Sequence, residues 1–171
     1  CQSVGKQSWG YRDNEDYYSI KFLMQSISKI MLMGGSYLLN VGPMADGRIP
    51  DKSADMVKKI GHWYTNIKES VTDCIIINDM FDSDDFYVTK RGNVIYLHFI
   101  KDLQSSGITL SPMETLPTKI TLLNDNSPLK FDMALLPEYC GGNKNNESKF
   151  HIFNIPVDKF IGEVLVIKIE L

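Results

Sequence analysis

The sequence predicts two architectures in series, a parallel α/β unit and then an antiparallel β-sandwich. Helical periodicity dominates before about residue 72, and short alternating runs dominate after it. The first part reads helix, strand, long loop, helix, the unit of a parallel α/β fold. The second part holds roughly eight short apolar runs with turn signals between them, the pattern of a sandwich.

The first helix is expected over 17–33, where Ile20, Leu23, Met24, Ile27, Ile30 and Met31 recur at helical spacing. Leu32 and Met33 widen this stripe, so the helix buries more than one side. Gly34-Gly35 ends it, because glycine reaches the left-handed C-terminal conformation cheaply. Tyr37-Leu38-Leu39-Asn40-Val41 is a nearly continuous apolar run, as in a strand covered on both faces. Residues 42–50 form a loop with the turn dipeptide Asp46-Gly47. Asp51 suits an N-cap for the next helix, whose apolar face is Met56, Val57, Ile60, Trp63, Tyr64 and Ile67. A single strand between two helices cannot pair its own backbone groups. Residues 1–71 therefore read as the tail of a larger α/β domain, and Leu23, Ile27, Leu38 and Val57 are expected to face partners in the rest of that domain and to stand exposed in this chain.

The later strands are expected at 75–77, 86–89, 94–100, 107–110, 119–123, 129–131, 150–154 and 163–169. Lys90-Arg91-Gly92-Asn93 is a hairpin signal. Ile95, Leu97, Phe99, Ile120, Leu122, Val164 and Val166 are the expected inner face. Residues 138–149, rich in Gly, Asn and Lys, read as a loop.

Lys plus Arg number 18 and Asp plus Glu 21, so the formal net charge is −3. That balance excludes nucleic-acid binding through bulk charge. No apolar run approaches the roughly 20 residues of a membrane-spanning helix. The sequence opens Cys1-Gln2-Ser3 without Met or a leader pattern and reads as a processed chain or fragment. Cys1, Cys74 and Cys140 imply either buried thiols or one bridge with one free thiol. Asn146-Glu147-Ser148 matches the N-glycosylation acceptor pattern.

No metal or cofactor site is expected. His62, His98 and His151 stand alone, without a Cys or carboxylate at ligand spacing. No nucleotide-binding glycine loop and no serine nucleophile elbow occurs, and nothing marks Ser8 as a nucleophile. Asp82, Asp84 and Asp85 read as a solvated turn. Asp46 follows the carboxyl end of the strand, where α/β folds bind ligands, but Asp46-Gly47 reads first as a turn former.

Two segments are more specific. One is Ser8-Trp9-Gly10-Tyr11 with the polar run Arg12-Asp13-Asn14-Glu15-Asp16. The other is Leu38-Leu39-Asn40-Val41-Gly42-Pro43-Met44-Ala45-Asp46-Gly47-Arg48-Ile49-Pro50, followed by Ile60-Gly61-His62-Trp63. In this order they resemble the C-terminal third of the retaining α-L-fucosidases, the family that includes the lysosomal tissue type. Phe86-Tyr87-Val88-Thr89, Val94 to Phe99 and Thr118 to Leu123 extend the resemblance into the β part. The departure is Asn66-Ile67-Lys68-Glu69-Ser70-Val71, where the family has Asn-Gly-Glu-Ala-Ile-Tyr; it leaves the helix end and the junction open.

The resemblance implies the C-terminal end of a (β/α) TIM-like barrel over 1–72, with its last strand at 36–41 and last helix at 51–69. A C-terminal β-sandwich over 73–171 follows. It implies a glycoside hydrolase that releases terminal α-L-fucose from glycoconjugates, with an Asp nucleophile and an acid/base carboxylate upstream of residue 1. These residues alone are then expected to be inactive. Trp9 is the expected substrate contact, its ring lying on the apolar face of fucose; rim packing is the competing role. The alternative function is a non-catalytic carbohydrate-binding or barrel-supporting module. Expected partners are a fucosylated glycan, the rest of the catalytic barrel and further copies in a homo-oligomer, with no nucleic acid and no membrane. The expected location is lysosomal, secreted or periplasmic.

Overall fold

The computed structural model describes residues 1–81, 85–113, 115–135 and 148–171. The α/β part contains strand β1 (Gln2–Ser3), helix α1 (Ile20–Leu32), strand β2 (Leu39–Asn40) and helix α2 (Asp51–Ile67). β1 and β2 pair in parallel, Gln2 opposite Leu39 and Ser3 opposite Asn40. The strand expected to stand alone thus has a neighbour at the start of the chain, too short to show periodicity.

α1 starts at Ser19, whose hydroxyl accepts from the Phe22 amide at 3.2 Å. It ends at Gly34, which has φ +78°, and the Gly35 amide donates back to the Ile30 carbonyl at 2.9 Å. Asp51 does not cap α2. The cap position is Pro50, without a side-chain bond, and Asp51 lies in the first turn, where the helix dipole favours a carboxylate. α2 tightens at Lys68–Ser70 into a 3₁₀ turn that leads to the sandwich.

The sandwich strands are β3 (Ile75–Ile76), β4 (Tyr87–Arg91), β5 (Val94–Phe99), β6 (Gly107–Leu110), β7 (Lys119–Leu122), β8 (Ser127–Pro128), β9 (Lys130–Leu135), β10 (Ser148–Phe153) and β11 (Leu165–Glu170). Among the described residues they form a six-stranded antiparallel sheet, β3-β4-β5-β11-β7-β8, and a three-stranded one, β6-β10-β9. The expected hairpin joins β4 to β5 through Gly92, which has φ +58°. Most of the loop expected at 138–149 lies outside the described residues, and Ser148 and Lys149 already belong to β10.

The core between the sheets is set by register. Leu165 faces Phe99, Ile167 faces Leu97 and Leu122, and Ile169 faces Ile95 and Ile120. These pack with Phe150 and Ile152 of the small sheet. Val164 and Val166 are buried but lie on the opposite face, because their parity differs from that of Leu165 and Ile167. Both faces of this strand are apolar, so alternation alone did not decide which was inner.

That opposite face carries Tyr96, Val164, Val166 and Leu123, and it packs on Leu23, Met24, Ile27, Met56, Ile60, Trp63 and Ile67 of the two helices. Leu23 and Ile27 are therefore not exposed as expected: the sandwich covers them. Leu38 and Val57 remain exposed, at 66% and 40%. The Trp63 indole donates to the Val164 carbonyl at 2.9 Å, and the Asn66 amide donates to the Asn124 carbonyl at 2.8 Å. Asn124 in turn donates to Val164 and accepts from the Val166 amide.

Candidate functional site

β1 and β2 run parallel, so the segments after them, 4–19 and 41–50, leave from the same end of the sheet. Ligands in parallel α/β folds bind at that carboxyl end. The 4–19 segment carries Trp9, which is 57% exposed, and Tyr11 beside it is 41% exposed. An exposed tryptophan offers a flat apolar face that a buried one does not.

The segment is held from both strands. The Asn40 side-chain amide donates to the Trp9 carbonyl at 2.8 Å and to the Ser3 hydroxyl at 3.2 Å. Asn40 thus ties β2, β1 and the Trp9 backbone together. Gly42 completes the contact: a Cβ there would fall 2.4 Å from the Gly10 carbonyl carbon and 2.5 Å from the Tyr11 nitrogen. Only glycine permits that approach. The Ser8 hydroxyl accepts from the Gly10 amide at 3.0 Å and closes the turn that presents Trp9.

Glu15 braces the base of the segment. Its Oε1 accepts from the Gln7 amide at 2.9 Å, while its Oε2 is buried without a partner. The Tyr11 hydroxyl donates to Asp13 at 2.8 Å, a bond that pushes its pKa up. The cavity bordered by Ser3, Gly5, Tyr11, Glu15, Tyr17 and Gly42 measures only about 10 Å³. A sugar needs far more room, so the described residues offer a wall with an exposed ring, not a closed pocket.

Asp46 stands apart from this wall. It accepts from the Arg48 side chain at 2.7 Å and from the Arg48 amide at 3.1 Å, and the Arg48 side chain is the first cause of its lowered pKa. Gly47 has φ +84°. This is the turn former that the dipeptide suggested. Among the remaining expected positions, Asn146, Cys140, Asp82 and Asp84 lie outside the described residues. Asp85 is an exposed partner of Lys101 at 3.1 Å. Cys1 and Cys74 are free thiols, exposed and half-buried. His62 is exposed, His151 is half-buried 3.5 Å from Asp132, and His98 is fully buried. Among the described residues no group of three or more His, Cys, Asp or Glu could hold a metal ion, and no helix is long and apolar enough to cross a membrane. Asn40, Gly42 and Glu15 lie within the two motifs, but no site role was read for them. For Asn40 and Gly42 the signal was a polar residue closing an apolar strand directly before Val-Gly-Pro; Glu15 had none.

Residues 1–69 match the family model described as Alpha-L-fucosidase. The human tissue alpha-L-fucosidase is 30% identical over 141 residues, which span 77% of this chain and 29% of that protein. The chain thus spans under a third of the length of this curated relative. In fold it is similar to alpha-L-fucosidase isoenzyme 1 from Paenibacillus thiaminolyticus, with a TM-score of 0.72 and 24% identity over 99% of this chain and 38% of the other. It is also similar to a GH29 alpha-L-fucosidase from Bacteroides thetaiotaomicron solved as a trapped covalent intermediate, with a TM-score of 0.67 and 22% identity over 98% of this chain and 36% of the other. The resemblance read from the two motifs is borne out. So is the fold class, the end of a (β/α) barrel followed by an antiparallel β-sandwich.

Proposed function

We propose that the chain is the C-terminal part of a retaining α-L-fucosidase that hydrolyses terminal α-L-fucose from glycoconjugates. The observation that carries this is the Trp9 wall, built at the carboxyl ends of two parallel strands within the stretch that matches the family. Residues 1–72 complete the barrel, and residues 73–171 form the sandwich that backs its last two helices.

In such an enzyme two carboxyl groups about 5 Å apart flank the glycosidic bond. One attacks the anomeric carbon and the other protonates the leaving oxygen, then activates the water that releases fucose. Asp46 and Glu15 fill neither role: Asp46 is bound to Arg48, and Glu15 lies in a cavity too small for a sugar. Both catalytic groups belong to the rest of the barrel, whose strands continue from the open edges of β1 and β2. Trp9 covers the apolar face and methyl group of fucose, positioned by Asn40 and Gly42. A lysosomal, secreted or periplasmic location suits an enzyme acting on glycoconjugates.

The intact enzyme, assayed with 4-nitrophenyl α-L-fucoside, tests the reading. Trp9→Ala should lower kcat/KM by about 1–3 kcal/mol of transition-state stabilisation, the scale of one lost apolar contact. Wild-type kinetics in a folded Trp9→Ala variant would make Trp9 a packing residue. An intact wild-type protein that releases no fucose would overturn the activity itself.

A further inference from the structure

Two cavities meet at one end of the sandwich, of about 180 and 440 Å³. Phe99, Lys101, Asp102 and Leu103 line both, so the segment joining β5 to β6 is their common wall. Each lies against that segment, and each is far larger than the cavity under the Trp9 wall.

The walls are tied to one another. Lys21 of α1 pairs with Asp102 at 2.6 Å and donates to the Ile161 carbonyl at 2.7 Å. Lys101 pairs with Asp85 at 3.1 Å. One helix and three sandwich segments are thereby fixed around a pre-formed cleft, which lowers the ordering cost of binding.

The lining selects the ligand class. Its base is apolar, with Phe99 and Leu165 buried and Leu103 and Phe160 half-buried. Its rim is polar, with Glu163 and Asp158 on one side and Gln104 and Thr109 on the other. Across the two cavities four carboxylates, of Asp85, Asp102, Asp158 and Glu163, face two ammonium groups, of Lys21 and Lys101. That excess repels a phosphate, a sulfated chain or a sialic acid. Among the described residues the carboxylates do not converge into a metal-holding group. Apolar base, acceptor-rich rim and two donors match a neutral polyhydroxyl ligand, whose C–H faces need a ring and whose hydroxyls need acceptors.

Lys21 lies in the first turn of α1, the helix that directly follows the Trp9 segment. The cleft therefore opens at the end of α1 that the Trp9 segment leads into. We propose that this cleft binds a neutral oligosaccharide, so that a glycan chain is held at a second point on the same molecule as Trp9. Two contacts on one chain raise the effective concentration of the second. The proposal does not require that Trp9 meets fucose.

Saturation-transfer NMR and calorimetry on the intact protein test it, with lacto-N-neotetraose as probe because it carries no fucose. Saturable binding is expected near about 1 mM. Phe160→Ala and Glu163→Gln should each weaken it by at least roughly fivefold in protein that circular dichroism shows to be folded, whereas Trp9→Ala leaves it within about twofold. Phe160 is half-buried on a surface turn, and glutamine keeps the oxygen that accepts from Asn124, so both variants fold. Absent binding, binding indifferent to both cleft variants, loss of binding in Trp9→Ala, or equal affinity for a heparin tetrasaccharide would each overturn the proposal.

Discussion

His98 is a base enclosed without a counter-charge. Its Nε2 lies 2.9 Å from the Thr89 hydroxyl, which itself donates to the Ser70 carbonyl at 2.6 Å. Thr89 has one proton and spends it on Ser70, so Nε2 carries the imidazole proton and Nδ1 is left as a buried acceptor without a partner. Burial pushes the pKa from 6.5 down to about 3. The unfolded chain then binds this proton first on acidification. Stability is intact above about pH 6.5 and falls by about 1.4 kcal/mol per unit between there and 3. His98→Leu should flatten that slope, read as the urea midpoint followed from pH 7 to 4. A wild-type midpoint constant over that range would show that His98 does not govern it. In the sequence His98 was one isolated histidine among three. Nothing in its neighbours revealed that it would face two helices from the back of a sheet. Asn40 was equally silent, since its two acceptors lie 31 and 37 residues away.

At the scale of elements, α2 is the joint between the two architectures. Its apolar stripe was legible because Met56, Ile60, Trp63 and Ile67 recur at helical spacing and all are buried. What they pack against was not legible, because the partner face is assembled from Tyr96, Leu123, Val164 and Val166, which are scattered along the rest of the chain. Trp63 is 1% exposed and hydrogen-bonded to Val164. Trp63→Phe keeps most of the volume and removes one of the two hydrogen bonds to the Val164 carbonyl, which keeps the Asn124 donor, at a cost of about 0.5–1.5 kcal/mol. Trp63→Ala adds a cavity and should cost about 3–5 kcal/mol. Urea denaturation of both variants checks the order, and equal losses would assign the effect to the hydrogen bond alone. The expected sandwich strands lie within four residues of the observed bounds at each end, with 107–110 coinciding, and β8 was not expected. Ser127–Pro128 is too short and too polar to announce itself.

For the molecule as a whole, the two parts share one of the two apolar cores. The sequence break near residue 72 marks a change of architecture and not a gap in packing, which composition has no means of showing. Apolar surface remains where no described element covers it: Met33 at 64%, Leu38 at 66% and Val57 at 40% exposed. Among the described residues, β1 and β2 also each keep one unpaired edge. The 171-residue chain taken alone should therefore self-associate, and it should release no fucose from an aryl fucoside. Sedimentation velocity reads the first expectation, and a monodisperse monomer would count against the need for further strands. A larger α/β domain was inferred from what one strand lacked, and the resemblance alone made it a barrel; the neighbour at Gln2–Ser3 was too short to be seen.

The six-stranded sheet is covered on both sides, by the small sheet on one face and the helices on the other. Its middle strands, β5 and β11, therefore touch little solvent along most of their length. Their amide hydrogens have no local route to water and can leave only when the whole structure opens. In deuterium oxide the amides of Ile95–Phe99 and Val166–Ile169 should be the last protons retained, and their rate should report the global free energy directly. Those of β3, an edge strand with both residues exposed, should be gone within the first exchange points.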